Sequence, residues 1–235
     1  MGTSLIDVLR KRWRDTRSRQ GILGSAREIG ADVWEFVKES TPERRRSLFG
    51  DAEYDWEHES NTTSGGVSQR TRLLAAISGA PYQPTEPSLF HEMLGALKVD
   101  VSEYVFVDLG SGKGRTLLMA AEYPFRKIVG VELFSELDQV AKENIRKSAH
   151  SHRMESICAD AREFQFPAEP LVLYLFNPLP AAALVEVVEN LRLSLQQSPR
   201  SVRVIYHNPI SENVLADAGF LRKMSATHQY AIYSN

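Results

Sequence analysis

The chain of 235 residues contains a single cysteine, Cys158. No intrachain disulfide framework can therefore form, and a cysteine-rich metal site is excluded. One thiol suits a reducing compartment, and a soluble, cytoplasmic protein is expected. Long apolar runs are missing as well. The longest, Leu171 to Phe176, is the size of one strand, far short of the roughly 20 residues of a membrane span. Near the start, Asp7, Arg10, Lys11, Arg12 and Arg14 interrupt what a secretory signal would need to be continuous. No charge sign dominates: 28 basic and 30 acidic side chains leave a formal charge of -2, which argues against a generally cationic nucleic-acid binder. The histidines His58, His91, His150, His152, His207 and His228 are scattered, so no metal-ligand set emerges.

What is present reads as one full-sized core with an appendage, changing character near residue 80. Residues 1–80 form an N-terminal helical extension and a polar loop. Leu5, Ile6, Leu9 and Trp13 share one helical face, and Ile29, Val33, Trp34 and Val37 repeat the pattern. The run from Asp51 to Gly66, acidic and then polar with a glycine pair, reads as an irregular loop. The basic cluster Arg44, Arg45 and Arg46 and the run Arg10 to Arg19 offer a surface for an acidic partner or RNA, although solvated helix faces are the commoner explanation. In residues 81–235, short apolar blocks alternate with amphipathic stretches: YVFVD, KIVGVE, ESICAD, LVLYLFN and VRVIYHN, with helical stretches at Gly114 to Ala121, Glu136 to Lys147, around Leu184 to Leu195 and Glu212 to Ala216, give five β-α units. The class is α/β, a mostly parallel Rossmann-like sheet with helices on both faces and right-handed crossovers. HQYAIYSN leaves no room for another helix and is expected to pair antiparallel at or near the sheet edge.

Within that frame, VFVDLGSGKGR (residues 105–115) is a buried strand ending at Asp108 and a glycine-rich turn opening a helix. Ligands of open α/β sheets sit at such carboxyl ends, where glycine admits close backbone approach. Gly110, Gly112 and Gly114 give G-x-G-x-G, which lacks the offset of the dinucleotide fingerprint, and Lys113 is too early for a P-loop. Glu132 ends the next strand, where a carboxylate can accept hydrogen bonds from ribose hydroxyls. Asp160 ends the third strand, where an adenine amino group can donate to it. With Asp108 these residues make an acidic rim that repels pyrophosphate and favours a ligand with a cationic end.

These residues resemble the class I S-adenosylmethionine-dependent methyltransferases. DLGSGKGR followed by GVE is similar, more narrowly, to the non-SET histone-lysine methyltransferase superfamily and its bacterial relatives. The resemblance spans about residues 82 to 235. It implies a seven-stranded sheet with one antiparallel strand and S-adenosylmethionine as cofactor, with S-adenosylhomocysteine as product. Gly110, Ser111, Gly112 and Gly114 are then expected against its amino-acid part, Asp108 beneath that part, Glu132 on the ribose and Asp160 near the adenine. In that group a loop before the first strand folds over the cofactor; here Tyr82 to Pro87 occupies that place, with Tyr82 and Thr85 as candidate contacts. Thr85 alternatively caps the helix beginning near Pro87, and Asp160 alternatively caps a helical turn from Ala161.

Methyl transfer from a sulfonium is in-line displacement that depends on alignment. The expected acceptor end is the tip of the fourth strand, where Asn177 and Pro178 match the Asn/Asp-Pro-Pro-aromatic scheme of amino-group methyltransferases. Leu179 and Pro180 depart from it, leaving no ring to close over a substrate cation. His207, at the fifth strand's tip, is either a base or a hydrogen-bonded structural residue. The expected activity is methyl transfer to an unknown protein or small-molecule acceptor, with a protein lysine or another amine as first candidate. Rival readings are a non-catalytic nucleoside-binding module and a nicotinamide-dependent oxidoreductase.

Overall fold

The apolar blocks become strands because each alternates side chains to two covered faces. The computed structural model describes residues 50–63, 67–77, 83–176 and 179–235. The two amphipathic patterns before residue 40 lie outside those residues. The described elements are α1 (Gly50–Glu57), α2 (Gln69–Ile77), α3 (Pro87–Ala96), β1 (Val105–Leu109), α4 (Arg115–Ala120), β2 (Lys127–Glu132), α5 (Ser135–Lys147), β3 (Met154–Cys158), β4 (Leu171–Phe176), α6 (Ala181–Gln197), β5 (Val202–His207), α7 (Glu212–Ala216), β6 (Arg222–Ala226) and β7 (Tyr230–Ser234). The sheet has seven strands in the order β3-β2-β1-β4-β5-β7-β6. β1 to β5 pair in parallel, while β7 runs antiparallel to both β5 and β6. The strand order reverses between β1 and β4, which makes that point of the carboxyl edge the place for a ligand.

Two apolar layers hold the sheet. On one face Phe106, Ile128, Val172, Tyr174 and Ile205 meet Phe90, Met93 and Leu94 of α3 and Met119 and Ala120 of α4. On the other, Val107, Val129, Leu173 and Val204 meet Leu184, Val187 and Leu191 of α6 and Leu215 of α7. The stripe on α6 is the one its apolar spacing predicts.

One expectation needs correction. The polar run after residue 50 is not irregular throughout, because α1 occupies its first part. That helix is held by Tyr54, which is buried in the α3 face of the core, stacks on His58 with centroids 4.1 Å apart and lies under the Arg115 guanidinium. α2 docks likewise, with Leu74 and Ala75 against Phe134 and Leu137. The carboxylate of Glu136 on α5 accepts from Ser68 and from the Thr71 hydroxyl. The expected antiparallel strand at the chain end is β7, one place in from the edge, and β6, all five of its residues exposed, is the outer strand that no segment of the sequence marked. The absence of an apolar alternation hid it.

Candidate functional site

At the reversal point the chain leaves β1 through Gly110, Gly112 and Gly114, whose φ values are 84°, 55° and 83°. This left-handed region is open to glycine at little cost, so every second residue of the turn is the type that its backbone requires. The N–H groups of Gly110 and Ser111 donate to the Val131 carbonyl at 2.8 and 3.2 Å, and that of Gly114 donates to the Ser111 carbonyl at 2.8 Å. A fourth glycine, Gly130 in β2, lies under the turn: a Cβ there would stand 2.6 Å from both Leu117 Cδ1 and Ser111 Oγ. The turn is thus pressed onto β2 at a position where a Cβ would force Leu117 and Ser111 to shift.

Glu132 ties the turn down from the end of β2. Its Oε2 accepts the Gly112 N–H and its Oε1 accepts the Phe134 N–H, both at 2.8 Å. Each oxygen keeps a further lone pair. Burial pushes this carboxyl up to about 7 against the lowering effect of those N–H groups, with Asp138 adding to the rise. Asp108 beside it is also pushed up to about 7, by burial first and by Glu132, while the hydrogen bond from Thr116 opposes the shift. Thr116 donates to Asp108 Oδ2, but Asp108 Oδ1 and Ser111 Oγ are buried without a hydrogen-bond partner. A buried carboxylate oxygen left unpaired costs stability, and both orphaned atoms belong to the glycine turn and the strand feeding it.

The side chains of the turn itself point the other way, and this arrangement was not foreseen. Lys113, 1% exposed, donates to Asn61 Oδ1 at 3.0 Å and to the Thr63 carbonyl at 2.9 Å. Arg115 Nε donates to Thr62 Oγ1 at 2.7 Å. Asn144 on α5 donates to the carbonyls of Asn61 and Lys113 and accepts the Asn61 N–H. Asp55 holds the far side of this segment, accepting from the N–H groups of Thr62 and Thr63. Burial raises the Asp55 carboxyl, but these hydrogen bonds outweigh it and leave the group below its ordinary range. Residues 54–63 are therefore clamped onto the back of the glycine turn. The K and R of SGKGR were the available signal, although in sequence they read only as a failed P-loop.

Other predicted residues divide. Asp160 does not end a strand: β3 stops at Cys158, and Asp160 caps a short 3-10 turn, Ala161–Glu163, accepting the Arg162 N–H at 3.1 Å and pairing with the Arg162 guanidinium at 3.3 Å. Thr85 is not the cap of α3. Glu86 is, accepting from the N–H groups of Ser88 and Leu89, while the buried Thr85 hydroxyl lies 2.9 Å from that of Tyr174. His207 is buried, with Nδ1 2.8 Å from the same Tyr174 hydroxyl and its ring stacked on Phe176. Tyr82, Asn177 and Pro178 lie outside the described residues, though Phe176 places the β4 tip beside His207 on the carboxyl edge. Among the described residues no group of three or more His, Cys, Asp or Glu could hold a metal ion, and no helix is long and apolar enough to cross a membrane.

Comparison with known proteins adds to this geometry. Residues 68–171 match the family model described as histone methylation protein DOT1. A protein-lysine N-methyltransferase of Saccharolobus islandicus is 29% identical over 136 residues, 57% of this chain and 80% of that protein. Among solved structures, a SAM-dependent methyltransferase from Aquifex aeolicus superposes with a TM-score of 0.48 at 14% identity, covering 64% of this chain and 98% of that one. An RNA methyltransferase from Salinibacter ruber in complex with S-adenosyl-L-homocysteine gives 0.40 at 21% identity, over 65% and 92% of the two chains. The family match spans the glycine turn, Glu132 and Asp160, so this part of the chain is similar to the DOT1 histone methylation proteins, and the curated relative is likewise a methyltransferase.

Proposed function

We propose that this protein transfers the methyl group of S-adenosylmethionine to a lysine or another amine nitrogen of a protein. The observation that carries the cofactor assignment is the pair of orphaned atoms at the glycine turn, Asp108 Oδ1 and Ser111 Oγ. A carboxylate oxygen buried without a donor suits a ligand bearing an ammonium group, and the hydroxyl beside it suits a carboxylate. Gly110, Gly112 and Gly114 admit the amino-acid part against their backbone. The spare lone pairs of Glu132 accept ribose hydroxyls, with the Gly112 and Phe134 N–H groups holding the carboxylate still for them. Asp160, oriented by Arg162, lies one strand further along for the adenine, and the loop Tyr82 to Pro87 closes over the bound molecule.

When bound, the cofactor supplies a methyl group made electrophilic by its sulfonium. The chain's part is alignment and exclusion of water. Asn177 and Pro178, following Phe176, orient the acceptor nitrogen through a side-chain amide oxygen and a backbone carbonyl. The amine class of acceptor is supported by the DOT1 match and by the lysine methyltransferase relative. Incubating the purified chain with methyl-labelled cofactor and a lysine-rich protein, with mass spectrometry of the products, tests this. Label on lysine nitrogen is expected. Label found only on RNA, or on carboxyl or thiol groups, would overturn the acceptor assignment.

A further inference from the structure

The apolar layer between the sheet and α3 contains one polar string that the cofactor site does not use. Tyr174 on β4 is wholly buried among Phe90 and Phe106, ring centroids 5.8 and 6.1 Å away. Its hydroxyl meets Thr85 Oγ1 at 2.9 Å on one side and His207 Nδ1 at 2.8 Å on the other. Thr85 belongs to the loop that enters α3, whereas His207 is the last residue of β5 and pairs across the ladder with Phe176, the last residue of β4. The His207 and Phe176 rings stack at 3.8 Å with 18° between their planes. Beyond His207 the chain is pinned: Asn208 adopts φ 50° and its N–H donates to the Gln229 carbonyl at 2.7 Å. Three polar groups among apolar neighbours, each satisfied by the next, contribute less to stability than aliphatic side chains of similar size would. They join two places that methyl transfer must hold in register, namely the loop before α3 and the tip of β4.

We propose that Thr85, Tyr174 and His207 form a positioning relay that locks the loop closing over the methyl donor to the β4 tip that presents the acceptor. The inference rests on the methyltransferase reading of the site. Tyr174 is the junction, because its hydroxyl meets both the loop and His207 while its backbone lies opposite Asp108 in the β1–β4 register. Burial pushes the His207 imidazole down to about 4, and the neutral ring can accept the Tyr174 proton while Thr85 donates to the phenol oxygen. Displacing one end of such a string shifts an in-line reaction by small distances, to which rate is steep and affinity shallow.

The test uses the full chain with Tyr174→Phe, His207→Asn and His207→Leu. Asparagine places an amide group where Nδ1 stood, whereas leucine offers nothing. Three quantities are read: cofactor affinity by calorimetry, turnover with methyl-labelled cofactor on a lysine-rich protein, and hydrogen exchange of the segments 83–90 and 204–210. The expected result is a fall in kcat of roughly tenfold to a hundredfold for Tyr174→Phe and His207→Leu, with cofactor Kd changed less than about threefold. His207→Asn restores most of the turnover. Exchange rises in both segments together in Tyr174→Phe. Unchanged kcat in Tyr174→Phe, or a loss no smaller in His207→Asn than in His207→Leu, overturns the relay. So does faster exchange confined to one segment. A wild-type chain that binds no cofactor refutes the methyltransferase reading instead, and the exchange experiment still decides whether the string couples its two ends.

Discussion

Replacing Asp108 by its amide should raise stability at pH 8 more than replacing Glu132 by its amide, although each change removes one buried negative charge. In the cofactor-free fold Asp108 sits near pKa 7 against an ordinary value of 3.8, mainly through burial. Because the folded value is raised, the carboxyl costs nothing below pH 4. The cost grows between pH 4 and 7 and is complete above 7, where it amounts to about 4 kcal/mol for a shift of this size. Asp108→Asn removes it. The amide oxygen keeps the Thr116 donor, and the amide NH2 then stands unpaired where Oδ1 was orphaned, which takes back about half. A net gain of about 2 kcal/mol is expected at pH 8, or a Tm rise of about 4–8 °C for a chain of this length, shrinking toward zero at pH 5. Glu132→Gln differs because both carboxylate oxygens already accept backbone N–H groups, those of Gly112 and Phe134. The amide can serve only one, and its own NH2 opposes the other, for a loss of about 1–3 kcal/mol that offsets the roughly 3 kcal/mol relieved by removing a carboxyl raised to about 7, so the net change at pH 8 is small. Both variants should bind S-adenosylmethionine at least about tenfold more weakly, since each loses a charge-assisted partner. Thermal unfolding at pH 5 and pH 8, with calorimetry at pH 8, reads all of this. Asp108→Asn melting below the wild type at pH 8, or Glu132→Gln gaining as much as Asp108→Asn, would refute the reasoning.

Other consequences are simpler to check. The Tm increment produced by saturating S-adenosylmethionine should grow from pH 6 to pH 8, because Asp108 and Glu132, both near 7 in the empty site, must ionise to meet the ligand; an increment independent of pH speaks against them. Lys113→Met removes the two contacts that hold Asn61 and Thr63. It should lower stability by about 1–3 kcal/mol and speed limited proteolysis between α1 and α2, while circular dichroism changes little. Gly130→Ala forces a methyl group to 2.6 Å from Leu117 and Ser111. A loss of about 1–3 kcal/mol and weaker cofactor binding should follow, both measurable by melting and titration.

The parallel sheet and its glycine turn were legible because their signals are local: apolar strands covered on both faces, glycines where φ turns positive, and an acid at the end of β2. Elements whose reason lies elsewhere in the chain were not. α1 has no apolar stripe of its own and forms around Tyr54, which is seated on Arg115. β6 is polar at every position because it is an edge covered on neither face. Asp160 and Thr85 show how a residue type underdetermines its role: the carboxylate serves its own turn through Arg162, and the threonine turns inward to Tyr174 because Glu86 has taken the cap. Lys113 reads in sequence as a phosphate ligand out of place, and only the tertiary fold shows that it faces Asn61 and Thr63 instead.

The most direct test of the central claim is calorimetric titration of the purified chain with S-adenosylmethionine, S-adenosylhomocysteine and NAD in parallel, repeated with Glu132→Ala. The account predicts binding of both sulfur nucleosides, none of NAD, and loss of that binding in the variant. Binding of NAD alone, or nucleoside affinity untouched by Glu132→Ala, would contradict it.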